Sequence, residues 1–508
     1  MPRRIAPQNR LNHGRLVAAA LAIYICYMAK VYYEFDRRLP KHETIQDVVP
    51  PLPDDMNKLE QISFPHGRLF LGPNSHTVKI PTSHVFDPSL SWSPLQRKLL
   101  NDSDINIEVE KKRCASYNFG FPYNATTPPR RRRLFYGALI SNDSEEVIKA
   151  TSMEQYNIFH TVSLIESNTT QNLVPKKWRF FGSEDASTQL HWIHQIFGPE
   201  TQVSVNYYVT SVSKNNGHHD PLALEGFQRE GHLYRWKFNG MRPDDIAIIV
   251  DIDETFSRDF LRALQICDVP EFRPGQSCKK PKVIASTLVF ESSPECIWKG
   301  RRWFHPDAVI GECVDQIGDT KLHPPTKRKY WDSHGTRLRG YGGGGDYSAY
   351  EANVLTPLGM VDQYPLWLSN EIRSGTGGNP VSKGDEWKSP TAYHFHNFFM
   401  SVEEIRHKYL TYGHPDKKAL TKPLRVLAPR DLLLAVTCAE GNHTEKAEKS
   451  FEIIPGTSKP IYYLEGEARR KRHSLWQDLV RKENEQVAKK NIESNSAPKS
   501  DEKQQQNR

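Results

Sequence analysis

The stretch that most constrains this chain is Ile246-Ala247-Ile248-Ile249-Val250 running into Asp251-Ile252-Asp253-Glu254. An unbroken apolar run rich in β-branched residues is the pattern of a strand buried on both faces, the central strand of a sheet covered by helices. In extended chain the side chains at i and i+2 point the same way, so Asp251 and Asp253 are placed to share one ligand. The carboxyl end of such a strand faces the crevice where α/β sheets bind ligands. Paired carboxylates holding a divalent ion, Mn2+ or Mg2+, suit a diphosphate, because the cation neutralises the leaving group. The competing reading is that both aspartates cap a following helix. Asp102-Ser103-Asp104 repeats the spacing without an apolar strand before it and reads as a polar loop.

Other segments fit the same architecture. Leu134–Ile140, Ile158–Ile165 and Val203–Val209 read as further strands. The polar segment after the first of them has helical character. Between Leu222 and Phe238, Leu224, Phe227, Gly231, Tyr234 and Phe238 recur at helical spacing, and Asn239-Gly240 with Pro243 ends the helix. Strands alternating with helices argue for an α/β fold.

The ends of the chain set its context. Leu16 to Tyr33 forms an apolar stretch of about 18 residues once Lys30 is allowed to snorkel, the short end of a membrane span. Arg3, Arg4, Arg10 and Arg15 precede it, which favours residues 1–15 on the cytoplasmic side and 16–33 as a signal anchor. A cleaved signal peptide is the alternative, but no small-x-small site follows. Prolines recur through residues 34–130, which read as a stem, although Ile62, Phe64, Leu69, Phe70 and Leu71 are not linker residues. A catalytic domain is expected over 131–425, an extension over 426–464 and a charged, disordered tail over 465–508. Beside Cys26 in the span stand Cys114, Cys267, Cys278, Cys296, Cys313 and Cys438, and Cys267/Cys278 and Cys296/Cys313 are close enough in sequence to close short loops. Sequons begin at Asn101, Asn124, Asn142, Asn168 and Asn442. Anchor, even cysteine number and sequons together predict a single-pass type II protein with its body in the lumen of the Golgi or the ER. The net charge of +8 is small and partly local to basic runs at 130–133 and 469–472, so no nucleic-acid partner is expected.

Met241 to Glu254 resembles the signature of glycosyltransferase family 17, the family of the β-1,4-mannosyl-glycoprotein 4-β-N-acetylglucosaminyltransferase that adds bisecting N-acetylglucosamine. Further blocks match in order: Arg133 to Tyr156, Phe159 to Asn168, the Glu225-Gly226-Phe227-Gln228-Arg229 helix, and Ala392-Tyr393-His394-Phe395-His396-Asn397-Phe398-Phe399. The resemblance runs from about Arg133 to Pro415. Thr255-Phe256 replaces the usual Ile-Pro, and Phe395 and Phe398 stand where the family has cysteines. The resemblance implies a GT-A-like nucleotide-sugar fold, inversion at the anomeric carbon, a UDP-sugar donor and a glycan or glycoprotein acceptor.

Asp251 and Asp253 are the expected metal ligands, with His394 as a candidate third, since a neutral imidazole suits a manganese-type ion beside carboxylates; the alternative is that His394 and His396 are hydrogen-bonded, partly buried histidines. Glu254 joins them at the donor site. Glu166, at the end of the second strand, is a candidate contact to nucleotide or sugar, against a solvated strand-end carboxylate. Glu225 and Arg229 are candidate donor-site residues, although an i,i+4 ion pair alone explains their spacing. His396 is placed on the same strand face as His394. Gly342–Gly345 reads as a loop, Trp298, Trp303 and Trp331 as packing residues or sugar platforms. Glu254, Asp346 and Asp385 are open candidates for the base that inversion needs.

Overall fold

The computed structural model describes residues 54–64, 67–77, 105–117, 119–124, 129–141, 143–171, 173–182, 185–211, 221–273, 282–285, 287–291, 296–303, 306–314, 317, 353–356, 359–361, 391–398, 408, 451–453, 460, 481–482, 485 and 488–489. In chain order the elements are β1 (Glu60–Phe64), β2 (Gly67–Leu71), α1 (Ile107–Ser116), β3 (Leu134–Ile140), α2 (Glu145–Gln155), β4 (Thr161–Ser167), α3 (Ala186–Ile196), β5 (Gln202–Thr210), α4 (Pro221–Phe238), β6 (Ile246–Asp251), β7 (Glu254–Phe256) and α5 (Arg258–Ile266). They continue with β8 (Lys282–Ala285), β9 (Thr287–Glu291), β10 (Cys296–Trp303), β11 (Asp307–Ile310), β12 (Asn353–Thr356), β13 (Gly359–Val361), β14 (Ala392–His396) and β15 (Phe451–Ile453). The fold is α/β, with a mixed central sheet flanked by helices.

The large sheet has ten strands in the order β1-β2-β5-β4-β3-β6-β11-β8-β12-β13. Its heart is parallel: β5, β4, β3 and β6 run side by side in one direction. Ile246, Ala247, Ile248, Ile249 and Val250 of β6 are all buried, as a strand covered on both faces must be. From β3 the chain steps outward to β4 and β5, then returns through α4 to β6 on the other side of β3. That reversal makes a topological switch point between β3 and β6, and the crevice at their carboxyl ends is where such sheets take ligands. A second sheet, β15-β10-β9-β14-β7, has five strands. The apolar run at 16–33 and the Gly342–Gly345 loop lie outside the described residues, as do Trp331, Asp346 and Asp385. Among the described residues no helix is long and apolar enough to cross a membrane.

Helix α4 departs from a simple amphipathic reading. Leu224 and Phe227 are buried as expected, but so are Gln228, Arg229, His232 and Arg235, while Phe238 is 60% exposed. Arg229, His232 and Arg235 are buried with hydrogen-bond partners. Arg235 donates from Nε and Nη2 to Asn206 Oδ1, at 3.1 and 2.9 Å, and Asn206 Nδ2 donates to Ser163 Oγ, 3.0 Å away. Ser163 Oγ lies 3.0 Å from His232 Nδ1. Gly137 in β3 makes room for this helix, since a Cβ there would sit 2.6 Å from His232 Cγ and 3.0 Å from Trp236 Cζ2. Strands β1 and β2 come from the proline-rich segment. They extend the sheet through β2–β5 pairing, and the Phe64 ring packs edge-on to Tyr234 of α4 at 5.5 Å.

The cysteine pairing differs from the short loops read in the sequence. Cys267 is bonded to Cys114, 153 residues away, and not to Cys278. The reason is packing. Helix α1 lies against α5, with Arg262 donating to Glu110 at 3.2 Å and Arg113 to Asp259 at 2.7 Å, and this brings Cys114 beside the residue that ends α5. Cys313 is also disulfide-bonded.

One buried histidine gives the fold an acid sensitivity. On α3, His194 is 2% exposed and neither ring nitrogen meets a hydrogen-bond partner among the described residues. Burial, then the charge of His191, pushes its pKa down to about 4. A histidine lowered in the folded state favours folding above its unfolded pKa of about 6.5, and that contribution is lost as pH falls toward the folded value. We expect unfolding free energy, followed by urea titration, to fall by on the order of 3 kcal/mol from this site between pH 7 and pH 4. A His194→Phe variant is expected to show a correspondingly flatter acid limb.

Candidate active site

At the switch point the chain changes sheets. β6 ends on Asp251, Ile252 and Asp253 turn, and Glu254 starts β7, which pairs antiparallel with β14 so that Glu254 lies opposite His394. The extended i,i+2 geometry therefore stops at Asp251. Asp253 Oδ2 lies 3.4 Å from His394 Nε2, and the Asp253 carbonyl accepts from the Phe395 amide at 2.7 Å. Asp253, Glu254 and His394 each offer a ligand atom within 4.8 Å of the others. Asp251 is set apart. Its carboxylate accepts from Arg229 and is 41% exposed, while its amide donates to Glu254 Oε2 at 3.1 Å. The structure thus gathers His394 with Asp253 and Glu254, and sets Asp251 against an arginine.

Helix α5 is capped by Ser257, whose Oγ accepts from the Phe260 amide at 3.3 Å, so neither aspartate is its cap. The charges at the cluster support one another instead. Burial pushes the Asp253 carboxyl up, but His394 and Lys408 outweigh it and hold the group well below the usual carboxylate range. Burial pulls His394 down, and Asp253 then Glu254 more than reverse this, leaving its pKa raised.

Two oxygens and one imidazole nitrogen make a donor set for Mn2+ or Mg2+. Ligands of one ion lie about 3–4 Å apart, so a spread of this size needs only small side-chain adjustment.

Arg229 is the brace behind the turn. Its Nε and Nη2 donate to Glu225 Oε1 at 2.8 and 2.5 Å, Nη1 donates to the Val250 carbonyl at 3.0 Å, and Nη2 also reaches Asp251. Glu225 Oε2 takes a further bond from Gln171 Nε2 at 2.7 Å. These two residues thus tie α4 to the end of β6. The i,i+4 pair is present, and it is also attached to the acidic turn.

Glu166 lies within β4 and is fully buried. Its carboxylate accepts from Lys176 Nζ at 3.1 Å and from the amides of Arg179 and Phe180 at 2.6 and 3.1 Å. It pins the segment after β4, which holds Arg179 so that Nη1 donates to the Asp143 carbonyl at 2.8 Å. Glu166→Ala leaves the buried Lys176 ammonium without this carboxylate, and a loss of about 3–5 kcal/mol in denaturant-derived stability is expected.

Two residues here escaped the sequence reading. Asp143 follows β3 at the same end of the sheet, and its Oδ2 accepts from the Ser141 amide at 2.7 Å. Burial pushes its carboxyl up and the negative Asp253 adds to that. Its position just beyond a parallel strand was the available signal, but Asn142-Asp143-Ser144 reads first as a sequon. Lys408 Nζ lies 3.5 Å from Asp253 Oδ2, and nothing in the sequence around it marks it.

The departures from the family pattern are packed. Thr255 Oγ1 accepts from Gln155 Nε2 at 3.1 Å, and the Phe256 ring lies 5.0 Å from Phe260. Phe395 and Phe398 are buried, with rings 5.2 Å apart. The His394 and His396 rings lie 5.5 Å apart.

No curated protein matches the sequence. Among solved structures, the mannosyltransferase PcManGT from Pyrobaculum calidifontis, in complex with GDP-Man and Mn2+, is similar at 12% identity. That alignment covers 71% of this chain and 87% of the other, with a TM-score of 0.21, too low to carry an argument. The family model Glycosyltransferase family 17 matches residues 108–273, which hold Asp143, Glu166, Glu225, Arg229 and the turn from Asp251 to Glu254. By that match the chain carries a glycosyltransferase family 17 domain over residues 108–273.

Proposed function

We propose that this protein is a membrane-anchored inverting glycosyltransferase with a GT-A-like donor site. In this reading it transfers N-acetylglucosamine from UDP-N-acetylglucosamine, in β-1,4 linkage, to a mannose of an N-glycan. The observation that carries the reading is the convergence of Asp253, Glu254 and His394 at the β3/β6 switch point, beside a turn that belongs to the family domain. Those three residues would hold Mn2+ or Mg2+, and the ion supplies charge neutralisation of the departing diphosphate. Arg229, held by Glu225, fixes the end of β6 so that the turn presents its carboxylates to the crevice. Asp251, half exposed at the rim, is a donor contact. The acceptor hydroxyl attacks the anomeric carbon from the face opposite the nucleotide, the glycosidic bond to the diphosphate breaks, and the hydroxyl proton passes to a base within hydrogen-bond reach.

The anchor at 16–33 and a luminal body in the Golgi or ER belong to the same reading, supported by the basic flank and the sequons. The test is a screen of detergent-solubilised protein with Mn2+, several nucleotide sugars and a panel of N-glycans. Transfer from UDP-N-acetylglucosamine to a mannose is expected. Turnover with another donor alone overturns the sugar assignment, and absence of both transfer and donor hydrolysis overturns the enzyme. In sealed microsomes a C-terminal tag is expected to survive protease.

A further inference from the structure

We propose that Lys408 is the residue that grips the diphosphate of the donor when a divalent cation enters the Asp253–Glu254–His394 cluster, an inference that rests on the nucleotide-sugar reading above. Lys408 lies outside the matched family segment of residues 108–273. Its Nζ stands 3.5 Å from Asp253 Oδ2, the same oxygen that His394 Nε2 approaches at 3.4 Å. Asp253 and Lys408 are both largely withdrawn from solvent, at 15% and 23% side-chain exposure, so the pair is less screened than a surface pair.

A cation bound through Asp253 brings two positive charges next to that ammonium. The like charges repel, and a lysine on a flexible four-carbon stem is the partner that can move. The nearby arginines are committed to the fold: Arg229 to Glu225, the Val250 carbonyl and Asp251, and Arg179 to Gln189 and the Asp143 carbonyl. Lys408, on its flexible stem, faces the very carboxylate the cation claims. The arriving diphosphate carries the negative charge that replaces it, and an ammonium binds phosphate as a point charge without needing a fixed fork geometry.

This exchange of partners has a signature that a purely structural ion pair lacks. Removing the ammonium relieves repulsion at the empty cluster, so cation affinity without nucleotide rises. Removing it also strips a contact from the diphosphate, so nucleotide affinity with cation falls. The experiment measures Mn2+ binding to the full chain by electron paramagnetic resonance, and UDP and UMP binding in saturating Mn2+ by calorimetry, for wild type, K408M and K408Q. We expect both variants to bind Mn2+ at least fivefold more tightly, UDP at least tenfold more weakly, and UMP within threefold of wild type. K408R is expected to keep UDP affinity within fivefold. Thermal midpoints confirm that each variant is folded, and K408Q carries the same expectation if K408M is not. Wild-type-like UDP binding by the neutral variants, or a shift of Mn2+ and UDP affinities in the same direction, overturns the role of Lys408 alone. A wild-type protein that binds neither Mn2+ nor UDP overturns the nucleotide-sugar reading, and this role with it.

Discussion

Asp253→Asn is expected to lower glycosyl transfer by about a thousandfold or more while leaving the chain folded at a lowered thermal midpoint. The substitution keeps the shape of the side chain and removes one negative charge from the cluster it forms with Glu254 and His394. Stabilisation of a leaving diphosphate by a bound cation is worth several kcal/mol, and each 1.36 kcal/mol is a factor of ten in rate. The fold is kept because the backbone carbonyl of Asp253 still accepts the bond from Phe395 that ties the turn to β14, although His394 and Lys408 lose the charge they face. Asp251→Asn is the internal control. Its carboxylate faces Arg229 and solvent, so a milder loss is expected, and equal losses from the two variants would mean that the aspartates act as one ligand pair. Steady-state rates and calorimetric midpoints on the same preparations check both expectations.

Cys114→Ser is expected to cost about 4–5 kcal/mol of unfolding free energy. The bridge to Cys267 closes a loop of 153 residues, and a long loop is the one whose closure most restricts the unfolded chain. Helix α1 adds its ion pairs to α5 on the same side, so the bridge and the contacts it fixes fail together. Cys267→Ser is expected to match Cys114→Ser within error under non-reducing denaturant titration. A change under 1 kcal/mol in both would show that the α1–α5 packing alone retains the closure.

What could be read without a structure follows from what period and position can carry. The strands near 134–140, 161–167, 202–210 and 246–251 were legible because parallel strands buried on both faces leave unbroken apolar runs. The acidic turn was legible because it interrupts the strongest of them. Its internal geometry was not. The i,i+2 rule assumes a strand that continues, whereas β6 stops at Asp251 and the chain enters another sheet at Glu254. Glu254 therefore stands with Asp253 at the cluster, and Asp251 turns to Arg229. The interior of α4 was not legible either, since His232 and Arg235 are buried with partners that only tertiary structure supplies. The Cys114–Cys267 bridge was hidden by separation along the chain. Lys408 was hidden because a single lysine near no motif has no pattern.

The crossing of the chain from one sheet to the other at Asp251–Glu254 makes the cluster a rivet. One of its members, Asp253, sits on the connecting turn, and another, His394, on a strand of the five-stranded sheet. An ion bound there would fasten β14 to the carboxyl end of β6, and a ligand that binds only the folded arrangement stabilises it by mass action. Loss of the ion is then felt as local opening and not as global unfolding. Chelation is expected to raise amide hydrogen exchange across residues 391–398 while leaving β3 and β4 protected. If the proposed function holds, the donor site doubles as a clasp, and the second sheet is held most firmly when the ion that precedes the nucleotide is in place.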